Sequence, residues 1–534
     1  AGRRWRSQSL CAWSPAAAVA AAAASVDAPD APSAEMMARG HDAFVRASSL
    51  LVAAAMMALV AVALADGPTC IAPDSQSLTT ATTTPLYEWT SMPFQFPDGR
   101  APEPGEWDKS ICVPSGVKVH DGTYYLTFPR WHAAGIPITL GRLSADGSKI
   151  EAYPSWDWQE VGNAAALQSI QDIEIDNRGR LWILDVGRAG ILDPSPPAPP
   201  GAPKLVIWDP SREEVVATHV FSESVISYSH SFANDLVIDQ PRGVIYISDA
   251  KGAGGVVSLH VASGRERRFE DPTFGVDGKD ITVDGSALPL RTPVDGIALS
   301  PDTEYFYYCA LDSTALYRVK TSVLRDWSAT TVATLGTAAE LVGDKGDATG
   351  GMIFSAAGKL YFGGMQCSAV YEWDASKPLA QTRVLLNNGA AQTTGVSRAL
   401  ASVAGNITDP LSWIDTFAFD GDDVVFTVNR LQQLLFPASA GAYNMAAGAP
   451  PNFRVYRIPV GSGTYLTAQR MPASGPTGSV GQGDLNAART AAIVASAFAF
   501  VLAVALWAVV RKLKAATARL RTRSRGVSYQ ELAA

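Results

Sequence analysis

The feature that most constrains this chain is a template that recurs about every 55–65 residues. Six stretches open it: "PSGVKVHD" from Pro114, "IQDIEID" from Ile170, "ANDLVID" from Ala233, "PVDGIALS" from Pro293, "ATGGMIFS" from Ala348 and "WIDTFAFD" from Trp413. Each starts on small or acidic residues, alternates apolar with polar, and turns into a second apolar run such as "RLWILDVG" or "GVIYISDA". Third runs follow ("KLVIWDP", "ALYRVKT", "FRVYRIP"), and several units add a fourth, more polar one ("EVVATHVF", "RERRFED"). An alternating strand has one face to bury, and a small sheet achieves this by stacking on a neighbour of the same design. Four strands per unit, six units and Gly/Asn turns between them predict an all-β six-bladed propeller over residues 84–465. The turn "DNRG" after Ile175 is one such hairpin connection.

The ring has to close. "TPLYEWTSMPFQFP", Thr84–Pro97, alternates like a strand ahead of the first unit and is expected to pair with the sixth unit beyond "FRVYRIP". Residues 66–83 form a short N-terminal segment before it. With Cys11 set aside, four cysteines remain, an even number that suits an oxidising compartment. The pairs expected are Cys70–Cys112 and Cys309–Cys367, with free buried thiols as the competing reading.

The ends of the chain read differently. Residues 1–35 are Ala-rich and treated as an extension absent from the mature protein. Residues 36–65 read as a secretory signal: Arg39 and Arg46, the apolar run Leu50–Leu64, and Ala63-Leu64-Ala65 before Asp66. Residues 466–487 read as a flexible stalk. Residues 488–510 contain "AAIVASAFAFVLAVALWAVV", uncharged and long enough to cross a bilayer as a single transmembrane helix. Residues 511–534 carry seven basic and no acidic side chains between Arg511 and Arg525, which places this tail in the cytosol. The expected topology is a single-pass type I protein of the secretory pathway, its membrane partner reached through that helix. Asn406-Ile407-Thr408 is a glycosylation acceptor, and "YQEL", Tyr529–Leu532, matches a Tyr-x-x-bulky sorting pattern.

The net charge of −8 rules against nucleic acid as a partner. Without its basic tail the body is decidedly acidic, which favours cationic or amine ligands through its field. No C-x-x-C or His-x-x-x-His spacing suggests a metal, and no cofactor is expected.

In a propeller the first strands line the axis, and their leading residues meet at its mouth. Here these are Ser115, Asp172, Asn234, Asp295, Thr349 and Asp415. Carboxylates and amides facing one channel suit a cation or an amine; turn anchoring by Asp is the alternative reading.

Longer motifs add a resemblance. "LTFPRWHAAGIPITLGRL" (126–143), "RLWILDVGR" (180–188), "SFANDLVIDQPRGVIYISDA" (231–250), "VDGIALSPDTEYFYYCALDSTALYRVKT" (294–321) and "LSWIDTFAFDGDDVVFTVNRLQ" (411–432) together resemble the major royal jelly protein/yellow family. The resemblance implies a secreted six-bladed propeller. Some yellow members are linked to conversion of dopachrome, others bind biogenic amines or store nutrient protein. Carried over on "TVNRLQ", it nominates Asn429 and Leu431 as ligand contacts. Leu431 stands where relatives often have an aromatic ring; Trp131 and Trp413 could compensate, a core role being the plainer reading for both. The C-terminal span and basic tail depart from the family. Three functions compete: a tethered ectodomain that binds an amine or aromatic small molecule, with or without dopachrome-type turnover; a structural or adhesive surface protein; and a calcium-dependent lactonase-like hydrolase using Asn234 and Asp295, against which "PSGVKV" lacks the first-blade Glu.

Overall fold

In a computed structural model the chain is described over residues 70–193, 197–328, 334–388 and 409–469. The expected extension, signal, glycosylation site at Asn406, membrane span and tail lie outside the described residues, as does all of the expected stalk beyond Gln469. Among the described residues no helix is long and apolar enough to cross a membrane.

Six sheets follow one another along the chain, each meandering outward from its first strand. The first strands are Val117–His120, Ile170–Ile175, Ala233–Asp239, Val294–Leu299, Met352–Phe354 and Ile414–Asp420. These are the six predicted blades, numbered here in that order.

The hairpin turns are built as their residues require. In blade 2 the Asp176 carboxylate accepts from the backbone N–H groups of Arg178 and Arg180 and from the indole of Trp182, at 2.9, 3.0 and 2.9 Å. Gly179 takes a φ of +73°, and a Cβ there would stand 2.2 Å from the His120 ring of blade 1. Rings then pack across the blade boundaries: Tyr246 on Phe306, Tyr307 on Phe354 and Tyr361 on Phe419, with centroids 5.7, 5.0 and 6.0 Å apart.

The N-terminal segment does more than close the ring. Tyr87–Trp89 pairs antiparallel with Phe453–Pro459 and supplies the outer strand of blade 6, as expected. The same segment also adds Leu78–Thr79 to the outer edge of blade 5 and Phe94–Gln95 to that of blade 1, both parallel. Three blades are therefore joined by one strap.

This route corrects the disulfide assignment. The bond is Cys70–Cys367, with Cα atoms 5.7 Å apart, because the strap brings Cys70 beside blade 5. Cys112 and Cys309 are free and buried. Cys309 has another role. It occupies the second-strand position held elsewhere by Thr127, Ser248 and Thr427, whose hydroxyls donate to the first strand of the next blade at Gln171 O (2.6 Å), Asp295 O (3.1 Å) and Ser115 O (2.7 Å). The Cys309 thiol faces Thr349 O at 3.8 Å in the same way. Cys367 is already bonded to Cys70.

A segment beyond the last blade closes the far end of the axis. Its short helix Tyr465–Ala468 buries Tyr465 and Leu466. The Tyr465 hydroxyl accepts from Ile238 N at 3.0 Å and meets Glu174 at 3.4 Å, and Gln469 bonds Ile238 O and Gln240 N.

Candidate functional site

The near end of the axis opens into a cavity of about 630 Å³. Five of the six leading residues line it: Ser115, Asp172, Asn234, Asp295 and Asp415. Thr349 does not. It is buried, and Gly350 and Gly351 take its place on the wall. Those glycines permit the tight inner radius: a Cβ on Gly351 would lie 2.1 Å from Asp415 O, and one on Gly296 2.2 Å from Gly350 O.

The lining is richer than strand alternation allows. In blades 2, 3, 4 and 6 the first strand carries one extra residue against its partner, between Ile170 and Ile173, Ala233 and Leu236, Val294 and Ile297, and Ile414 and Phe417. Such a bulge turns two consecutive side chains the same way. Gln171 joins Asp172, Asp235 joins Asn234, and Thr416 joins Asp415 in the cavity wall.

At the floor, Lys118 Nζ bonds Asp172 at 3.0 Å and Phe417 O at 3.0 Å. Burial alone would pull the Lys118 pKa down. The charges of Asp172, Glu174 and Asp235 outweigh it and hold the ammonium above the usual lysine range. Three carboxyls, Asp172, Glu174 and Asp235, act on this one cation. Burial, reinforced by the charge of Asp172, lifts Asp235 well above the usual carboxylate range. Burial and the charge of Asp415 do the same to Asp295, whose oxygen accepts from Asn234 Nδ2 at 2.5 Å. Burial lifts Asp415 to about 7, opposed by the hydrogen bond from Asn429.

Asn429 therefore stands behind the cavity and not on its surface. Its amide donates to Asp415 at 2.5 Å and to Pro114 O at 3.0 Å, so it orients that carboxyl. Leu431 does line the cavity. The aromatic wall comes from Trp131, Phe232, Trp413 and Phe436. Trp131 and Phe232 lie with centroids 5.7 Å apart. Trp413 and Trp131 are buried as core residues would be, yet both face the cavity. Trp413 also holds a left-handed backbone, φ +61°, a conformation that costs a bulky residue about 1–3 kcal/mol and concentrates at functional sites.

Several buried polar atoms of the wall lack partners among the described residues. They are the indole N–H groups of Trp131 and Trp413, the Gln171 amide nitrogen, and Asp172 Oδ1. Buried polar atoms are normally satisfied, and those left open mark where water or a ligand completes the set. Among the described residues no group of three or more His, Cys, Asp or Glu stands in metal-holding geometry; the Asn234–Asp295 contact remains a pair.

What the coordinates define is a six-bladed propeller with a blind, acid-floored, aromatic-walled cavity on its axis. Residues 168–394 match the family described as Major royal jelly protein, the family whose motifs the sequence resembles. Major royal jelly protein 5 of Apis mellifera is 28% identical over 312 residues, which cover 55% of this chain and 50% of that protein. Major royal jelly protein 1 of the same organism is 24% identical over 380 residues, 66% of this chain and 82% of that protein. Protein yellow of Drosophila erecta is 26% identical over 266 residues, 45% of this chain and 48% of that protein. The chain thus spans about half the length of the first of these relatives. Among solved structures, a luciferin-regenerating enzyme aligns with a TM-score of 0.37 at 14% identity, over 67% of this chain and 94% of that one. Regucalcin from Agrobacterium tumefaciens aligns at 0.37 and 13%, over 66% and 92%. Likeness of that degree says nothing about the site.

Proposed function

We propose that the propeller is a ligand-binding ectodomain whose axial cavity takes a small aromatic amine. The observation that carries this reading is the cavity itself: a chamber of about 630 Å³, with rings on its wall and an excess of carboxyls on its floor. That volume falls within the range of small-molecule sites. An ammonium group seated toward Asp172 and Asp415 would add a second positive charge beside Lys118 among the carboxyls of the axis, and the Trp faces would receive the ring. The secretory route and the type I membrane tether belong to the same proposal. The Cys70–Cys367 bond supports an oxidising compartment, and the signal-like and membrane-spanning stretches come from the sequence. Dopachrome-type turnover would use the same chamber.

Calorimetric titration of the purified chain with phenethylamine and with its uncharged isostere propylbenzene tests the proposal. The amine is expected to bind at least about tenfold more tightly, a difference of about 1.4 kcal/mol. Equal binding, or none by either compound, removes the amine reading and leaves the structural or adhesive role.

A further inference from the structure

The floor of the cavity is acidic, but one side of its mouth is not. Lys251, in the loop after the second strand of blade 3, lines the cavity and makes no ion pair among the described residues. Behind it stands Arg188 of blade 2, 9% exposed. This guanidinium has no carboxylate within salt-bridge distance among the described residues. Its one contact is a long bond from Nη2 to Ser231 O, at 3.4 Å, and its Nε has no partner. The nearby carboxylate, Asp249, is already engaged by Arg268 at 2.6 Å and by the Ser231 hydroxyl at 2.7 Å. A buried guanidinium with open donors and no counter-charge is costly unless something completes it. The two cations also oppose each other: burial and then the charge of Arg188 lower the Lys251 pKa. The indole N–H of Trp131, tilted against Phe232 next to Ser231, is a further open donor and lies on the cavity wall.

The Lys251 ammonium and the Trp131 indole N–H line the mouth beside blades 1–3, with the uncompensated charge of Arg188 behind Lys251, and the carboxyls of Asp172, Asp295 and Asp415 line the same cavity. From this arrangement we infer that the ligand is bipolar: an aromatic ring with an ammonium at one end and a carboxylate or similar anion at the other. The inference rests on the amine-binding reading above and narrows it. The ammonium goes down toward the floor, the ring lies against the Trp131 and Trp413 walls, and the anion remains at the rim, where the Lys251 ammonium, with the Arg188 charge behind it, supplies a charge-assisted partner. A plain amine would leave the Lys251 and Arg188 charges uncompensated. A simple α-amino acid would place both charges at one end of the ring, where only one of them meets an opposite charge.

Three probes separate these cases: phenethylamine, 4-(2-aminoethyl)benzoic acid and phenylalanine, each titrated calorimetrically into the full chain at neutral pH and low salt. The expected result is that 4-(2-aminoethyl)benzoic acid binds at least about tenfold more tightly than phenethylamine, as a charge-assisted pair predicts. That ratio shrinks toward one in Arg188→Gln and is reduced in Lys251→Met, an exposed change that leaves the fold intact. Binding of phenethylamine without any gain from the para carboxylate overturns the inference while sparing the amine reading. So does a gain that survives both substitutions, or tighter binding of phenylalanine than of the benzoic acid. If none of the three binds, the amine reading fails first and the inference fails with it.

Discussion

The two ends of the propeller axis are built from the same six strands and differ in what completes them. At the far end the axis itself is plugged, and the open space of about 490 Å³ lies to its side, along Arg242, Thr303 and Gln469. Tyr465 enters from the chain's own last helix, its hydroxyl meets Ile238 N and Glu174, and the neck between Lys118 and Tyr465 holds only about 10 Å³. At the mouth the strands bulge, side chains turn inward in pairs, and polar atoms remain open around about 630 Å³. The contrast teaches where stability and function separate in this ring. The far end is finished by the protein, and the mouth is left to be finished by something else.

The largest expected effect breaks the far end. Tyr465→Ala removes a fully buried ring and its hydroxyl, and denaturant unfolding should show a loss of about 3–5 kcal/mol. Tyr465→Phe keeps the ring and should recover all but about 1 kcal/mol of that. Loss of amine affinity with unchanged stability would mean that the two ends are not separated as described.

A smaller effect sharpens the comparison through pH. Burial lifts Glu174, near the far end, and Asp415, at the mouth, each to about 7. A carboxyl whose pKa is higher folded than unfolded stabilises the fold while it is protonated. That contribution is fully present below the unfolded value and is lost as pH rises through about 7. Melting temperature should therefore fall between pH 5.5 and 8. Glu174→Gln and Asp415→Asn should each flatten part of the slope. Affinity for phenethylamine should move the opposite way, rising over the same window as Asp415 ionises, and only Asp415→Asn should remove that rise.

Particular residues show how far the chain could be read in advance. Asp172, Asn234, Asp295 and Asp415 were legible because the period aligns the six first strands and places their leading residues on the axis. Gln171, Asp235 and Thr416 were not, because strict alternation sends every second side chain into the blade, and no local signal announces a bulge. Thr349 failed for a related reason: Gly350-Gly351 delays the strand of blade 5 to Met352, so its leading position shifts. Asn429 was found by resemblance, but its partner Asp415 explains its place. Cys309 was misread as a disulfide partner. Its equivalence to Thr127, Ser248 and Thr427 was visible in the repeat, yet a thiol at that position signals a bond only if a second one is within reach. Arg188 sits in "RLWILDVGR", quoted for its strand and turn; its missing counter-charge emerges only when the neighbouring blade is in place.

The central claim is that the mouth of the axis, and not its far end or outer surface, holds a cationic aromatic. A crystal structure of the chain with 4-bromophenethylamine, located by the anomalous signal of bromine, tests it directly. The account predicts one bromine site among Trp131, Phe232 and Trp413, with the ammonium directed toward Asp172 and Asp415. Bromine on the outer faces of the blades, with the cavity holding only water, would contradict it.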